Sequence, residues 1–298
     1  MTKGRNLVTV IIEDYIPTGA LAEFVEAVHF ISGHRMGTGI AFPRMQQVII
    51  INLGSRFLSS DIYSLTAPVR ETESSVWMNG KQDDPFLLGN PGVTSMYAIA
   101  LKLGTLPFFA SLPAIETNNR ALGAEHWTSP EIFSLQQQLL ACTSVHEGFL
   151  LIERYLLGLL AENRDFSSLD KIKWLGRAIY IHPVEEICRI LGITRKRLRT
   201  EAQHYFGGSV KNIQGIIRLN RTLRTIATAT IENSDRTLSS LHEYFDQAHF
   251  IHDFKSRTGI TPLQYRRLCQ QYPFIARTPN FIALPRETFL QFISRAPQ

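Results

Sequence analysis

HPVEEICRILGITRKRLRTEAQHYFGG, residues 182–208, is the stretch that decides the reading of this chain. Val184, Ile187, Cys188 and Leu191 fall on one side of a short helix. Gly192-Ile193 makes a tight turn. Thr194 then offers a side-chain oxygen to an unpaired N–H at the start of a second helix. That helix carries Arg195, Lys196, Arg197 and Arg199 in its first turns, with Leu198 turned inward. A short apolar helix, a glycine turn and a capped basic helix form the grammar of a helix-turn-helix. Its cations sit at the N-terminal part of the second helix, where such units reach base edges and phosphates. A basic run alone is usually a solvated face; the coincidence of helix, turn and cap favours DNA.

Beyond it, Ser209 to about Ala229 reads as one helix. Ile213, Ile216, Ile217, Leu219, Leu223 and Ile226 lie inside; Lys211, Arg218, Arg221 and Arg224 lie outside. Roughly 18 residues span about 27 Å, approaching the DNA repeat of about 34 Å. A rod of that length can hold two reading heads on one face of a duplex. The second head is FDQAHFIHDFKSRTGITPLQYR, residues 245–266. Asp246 stands where a cap is needed, and Phe250 and Phe254 share one face at a spacing of four. Gly259 can take the left-handed conformation that ends a helix, and Thr261-Pro262 starts the next with proline at its first position.

These residues resemble the AraC family of transcription regulators. The resemblance rests on Asp246-Gln247-Ala248-His249-Phe250, Asp253-Phe254, Gly259-Ile260-Thr261-Pro262 and Tyr265-Arg266, together with the first unit and Arg218-Leu219. It covers residues 182–268 and implies two DNA-reading helices. Carried over, the contact positions are Lys196, Arg199 and Thr200 in the first helix and Gln247, Ala248 and His252 in the second. Arg199 would read guanine and Gln247 adenine, while Arg195 and Lys255 would clamp phosphates. Ser239 and Glu243 stand where the family has a small residue and a glycine in its second turn. Thr200 and Ala202 replace the usual Arg and Phe of the first recognition helix.

The N-terminal part reads as strands broken by Gly, Pro and Asn. Val8–Ile12, Gln47–Leu53, Ser75–Asn79 and Met96–Leu103 are the candidates, and Leu21, Phe24, Val25 and Val28 recur at helical spacing. Phe42-Pro43, Ile50-Ile51-Asn52-Leu53-Gly54, Val76-Trp77-Met78-Asn79-Gly80 and Lys102-Leu103-Gly104 resemble the uncharacterised domain that precedes some AraC-type units. Pro43-Arg44-Met45 replaces that domain's Pro-Asp-Gly turn. The resemblance implies a sensory or oligomerisation role. From Thr128-Ser129-Pro130-Glu131 the texture turns helical. Aromatics of the front part, Trp77, Phe86, Phe108 and Phe109, are read as core rather than as a ligand pocket. The expected fold class is α+β. A strand-rich sheet or barrel domain (1–128) and a helical connector (129–168) precede an all-α double helix-turn-helix domain (169–270) and a tail (271–298). The tail's Phe274, Ile275, Phe281, Ile282, Phe289 and Phe292 are expected to pack back on a domain.

Charge divides the same way. Residues 1–169 hold 11 Lys/Arg and 16 Asp/Glu, whereas residues 170–270 hold 17 and 9. Only the back half is suited to a polyanion. Cys142, Cys188 and Cys269 lack paired spacing, which argues against a zinc ribbon or disulfide framework and for a reducing cytoplasm. No apolar run of about 18 residues marks a membrane span. His242, Asp246, His249 and Asp253 have a metal-like spacing, but a capping role for Asp246 and the family's structural use of this stretch outweigh it. Ser55 and Ser111 lack a nucleophile elbow, and Asp83-Asp84 and Glu185-Glu186 are adjacent carboxylates that point apart. No enzyme activity and no cofactor are expected. The expected partners are double-stranded DNA, RNA polymerase, a small-molecule effector and a second copy of the chain, with no membrane. The alternative is a ligand-binding or scaffolding protein with a degenerate DNA-binding unit.

Overall fold

Strands come first and helices follow. The computed structural model describes residues 10–34, 38–61, 70–72, 74–90, 92–128, 130–162, 166–231, 247–271 and 279–284. The strands are β1 (Val10–Tyr15), β2 (Val25–His34), β3 (Thr38–Ala41), β4 (Gln47–Asn52), β5 (Leu58–Asp61), β6 (Arg70–Glu71), β7 (Val76–Asn79), β8 (Phe86–Gly89), β9 (Val93–Leu101), β10 (Ala121–Gly123) and β11 (Phe281–Leu284). The helices are α1 (Glu131–Ala141), α2 (Val145–Glu162), α3 (Leu169–Ile181), α4 (Val184–Leu191), α5 (Arg195–Phe206), α6 (Val210–Ile231), α7 (Gln247–Thr258) and α8 (Pro262–Gln271). This is the α+β layout that the sequence implies.

One sheet runs β1-β2-β9-β4-β7-β10 and the other β11-β3-β8-β5-β6, with antiparallel pairing throughout. The six residues of β4 are all buried. Alternate side chains of a strand point to opposite faces. Ile49 and Ile51 therefore join the core under the helices, while Val48 and Ile50 join a second core with Phe57 and Trp77. Trp77 packs edge-on to Phe57, and Phe24 packs edge-on to Phe108 and Phe109, so these rings are core. Phe86 is half-buried in β8.

The helical spacing of Leu21 to Val28 does not make a helix. Gly19–Glu23 is a single 3-10 turn, entered at Gly19 with φ +60°, and Val25 and Val28 belong to β2. Val28 lies opposite Ile99 of β9. The ladder and cross-strand burial of β-branched side chains outweigh the local spacing. The start signal before α1 also shifts. Pro130 precedes the helix without a side-chain cap, and the Thr128 hydroxyl meets Tyr155 Oη at 3.1 Å instead.

The largest core does not stop at the sheets. It runs from β2, β4 and β9 through Leu106 into Ile172 of α3, Ile187 of α4, Phe206 of α5 and Ile213 of α6. Gly104 sits where the two parts meet, with φ +91°. A Cβ there would lie 2.6 Å from Ile172 Cγ2 and 2.8 Å from Phe206 Cε1. Glycine is required by both the backbone angle and the space. No helix among the described residues is long and apolar enough to cross a membrane.

Candidate nucleic-acid interface

α4 and α5 are joined by a tight turn in which Gly192 adopts φ 62°, the left-handed conformation that costs a residue with a Cβ. Thr194 accepts a hydrogen bond from Arg197 N at 3.2 Å, satisfying one of the orphan donors of α5. Gly207 closes the helix with φ 75°. Leu198, Ala202 and Phe206 are buried at spacings of four and hold α5 down. The opposite face is thereby turned outward: Arg195, Lys196, Arg197, Arg199 and Thr200 are all exposed. Lys196, Arg199 and Thr200 fall at i, i+3 and i+4, which places them on one strip of helix.

The cations of this helix are not equivalent. The Arg195 guanidinium bonds Glu185 of α4 at 2.8 Å. Arg197 bonds Glu201 at 2.8 Å, and Lys171 of α3 bonds the same carboxylate oxygen at 2.7 Å. Glu201 is buried. Burial pushes its carboxyl pKa up, but hydrogen bonds from Lys171 and Arg197 outweigh that and hold it below the ordinary value. On α4, Arg189 bonds Glu186. Sequence reading missed the role of Glu201. The Arg197/Glu201 spacing of four was visible, but Lys171 arrives from 30 residues away.

α6 is a 22-residue helix, about 33 Å long, slightly longer than the sequence suggests. Its inner residues divide between two cores. Val210, Ile213 and Ile217 join the large core; Leu219, Leu223 and Ile226 join another with Phe250 and Phe254 of α7 and Tyr265 of α8. Lys211, Arg221 and Arg224 are exposed and Arg218 is half-buried.

In α7 the two rings predicted to lie inward do so, 6.0 Å apart. Ala248 and His252 are exposed and Lys255 is half-buried. α7 begins at Gln247, whose side chain lies outside the described residues, as do Ser239, His242, Glu243 and Asp246. The capping role of Asp246 and the composition of the second turn therefore lie outside the description. Gly259 takes φ 76° after α7. Thr261 Oγ1 accepts from Gln264 N at 3.2 Å while Thr261 N donates to Gln264 Oε1 at 2.6 Å, a reciprocal cap that starts α8. Among the described residues no group of three or more His, Cys, Asp or Glu side chains could hold a metal ion.

The helices are tied to the sheets by polar contacts as well. Gln47 Nε2 donates to Tyr205 O at 3.0 Å, and Asn220 Nδ2 donates to Pro43 O at 3.0 Å. Asn212 Nδ2 donates to Asp83 Oδ1 at 2.9 Å. Lys81, 1% exposed, pairs with the same Asp83. Burial lowers the Lys81 pKa, and Asp83 opposes that shift.

Compared by sequence, the chain matches no family model and no curated relative. Among solved structures it is similar to ToxT from Vibrio cholerae. An apo variant of ToxT is 14% identical with TM-score 0.41, over 87% of this chain and 97% of that one. A second ToxT crystal form is 14% identical with TM-score 0.42, over 83% and 98%. Wild-type ToxT bound to an unsaturated fatty acid is 13% identical with TM-score 0.38, over 89% and 97%. Likeness at this level carries no argument about function.

Proposed function

We propose that this chain is a sequence-specific DNA-binding transcription regulator. In this reading it contacts two successive major-groove segments through two helix-turn-helix units, α4–α5 and the unit that ends in α7. The observation that carries the proposal is the outward strip of α5. Lys196, Arg199 and Thr200 face solvent beside a capped N-terminus, while neighbouring Arg195 and Arg197 are engaged by Glu185 and Glu201. The open cationic side chains coincide with the short helix, glycine turn and capped N-terminus of a helix-turn-helix, and that combination supports DNA contact over a merely solvated face. Arg199 is assigned to a guanine edge and Lys196 to the strip beside it; Gln247, Ala248 and His252 are the contact positions of the second head. Arg195 and Lys255 are assigned to phosphates, Arg195 by exchanging Glu185 for the duplex.

The finer assignments rest on the AraC-type resemblance of residues 182–268, on the resemblance of the N-terminal part to a domain that precedes such units, and on the unpaired cysteines. These assignments are a cytoplasmic location, contact with RNA polymerase, self-association, and a small-molecule effector acting through different affinities for two arrangements of the chain. No catalytic step is assigned.

Arg199→Ala tests the central assignment. Binding to the selected operator should weaken by roughly 1–3 kcal/mol, with relaxed preference at one base pair. The measurement is affinity across a set of single-base operator variants. Equal loss on every sequence would demote Arg199 to a phosphate contact.

A further inference from the structure

The second reading head is not built from its own residues alone. Its core, with Phe254, Tyr265 and Leu268, is completed by Ile40 and Phe42 from the front of the chain and by Ile282 from the tail, all fully buried. Phe42 stacks edge-on to Tyr265 at 5.8 Å. β11 pairs with β3 in the register Phe281↔Ala41 to Leu284↔Thr38, becoming the edge of the second sheet. Two hydrogen bonds lock its approach: Tyr265 Oη donates to Pro279 O at 3.1 Å, and Phe42 N donates to Asn280 O at 2.8 Å. Gly39 leaves room for it, since a Cβ there would lie 2.5 Å from Phe281 Cζ and 3.1 Å from Ile282 O.

The clasped side of α7 is the side of Phe250 and Phe254; Ala248, Ile251 and His252 remain exposed. The contact therefore holds the head without covering its outward face. The first head is held elsewhere, by Phe206 in the large core and by Asn118 Nδ2 donating to Gly207 O. Each end of α6 is thus moored to the sheets at its own point.

We propose that β11 is an interaction strand that docks on the β3 edge to fix the second reading head against the strand-rich part. It thereby sets the spacing and angle between the two heads. The DNA consequence rests on the two-headed reading above; the docking itself does not. With both heads held in one geometry, engagement of the second segment becomes intramolecular, at the effective concentration that a rigid connection provides. A released head searches many orientations, so the duplex loses both avidity and its preferred spacing.

The test uses full-length Ile282→Asp and Gly39→Val, and a chain ending at Gln271 that buries no new charge. Native-state hydrogen exchange should show amide protection falling at least about tenfold in β3, and with it in α7 and α8, while β4 and α5 stay protected. Loss in β3 with unchanged α7 and α8 would overturn the proposal, leaving β11 a mere edge cover. Unchanged β3 in all three would overturn the docking. On duplexes carrying both segments, each variant should bind about 100-fold more weakly and accept added base pairs between segments. Binding to the first head's segment alone should be unchanged. Unaltered affinity and spacing preference in a variant whose β3 is released would overturn the geometric role. A wild-type chain that ignores DNA would instead remove the DNA reading, with the exchange data still deciding the docking.

Discussion

The two proposed reading heads solve the same problem by different means. The first is finished locally: Thr194 caps it, Gly192 and Gly207 turn it, and Leu198, Ala202 and Phe206 anchor it. The second also ends its helix on a left-handed glycine, and α8 after it starts with a reciprocal cap, yet its core depends on Ile40, Phe42 and Ile282, more than 200 residues apart at the extremes. The first head is a local unit set into a large core. The second is an assembly of three distant pieces of chain. A unit that resembles an independent DNA-binding module can thus share its core with the strand-rich part of the chain.

Phe206→Ala should have the largest effect. Removing a fully buried ring that packs against Gly104 and Ile172 should cost about 3–5 kcal/mol. Because the core is shared, sheets and helices should lose stability together in one melting transition. An independently melting first head would contradict the shared core. Gly104→Ala should act through the same contact and through the positive φ, costing about 2–4 kcal/mol, measured by denaturant unfolding.

Glu201→Gln probes the ion-pair network that joins α5 to α3. The folded carboxyl has its pKa held below the ordinary 4.5, so its stabilisation is present above that value and is lost as pH falls through the lower folded one. At neutral pH the variant should lose about 1–2 kcal/mol, a modest figure because Lys171 and Arg197 are substantially exposed and screened. Its melting temperature should fall less steeply than wild type on acidification below about pH 4.5. Parallel curves would remove Glu201 from the network. Thr194→Ala is the mildest, at about 1 kcal/mol, with fraying confined to the first turn of α5.

Residues that act within one or two turns of themselves were legible in the sequence. The Thr194 cap, the Gly192 and Gly259 turns, the proline start of α8 and the inward Phe250 and Phe254 all stand where local physical chemistry puts them. β4 and β9 were also visible, because continuous or alternating burial leaves a pattern in four to eight residues. The 3-10 turn and strand at 19–34 were misread because a register shift between Val25 and Ala27 puts Val25 and Val28, three apart, into one core, which imitates helical spacing. Ile282 was expected to pack back, but nothing in the tail's own residues names β3 as its neighbour. Likewise, the burial of Glu201 depends on Lys171, and that of Lys81 on how the sheets meet α6. Such groups are fixed by three-dimensional proximity, which a single sequence does not display.

The outward strip of α5 is tested most directly by the salt dependence of duplex binding by the full-length chain. Affinity should fall at least about 100-fold between about 50 and 200 mM salt, as displaced counterions return. Replacing Arg195, assigned to a phosphate, and Lys196, the cation of the strip not assigned to a base edge, with alanine should flatten the log–log slope by about two. Affinity that is indifferent to salt, or a slope unmoved by those two replacements, would contradict the assignment of this face to DNA.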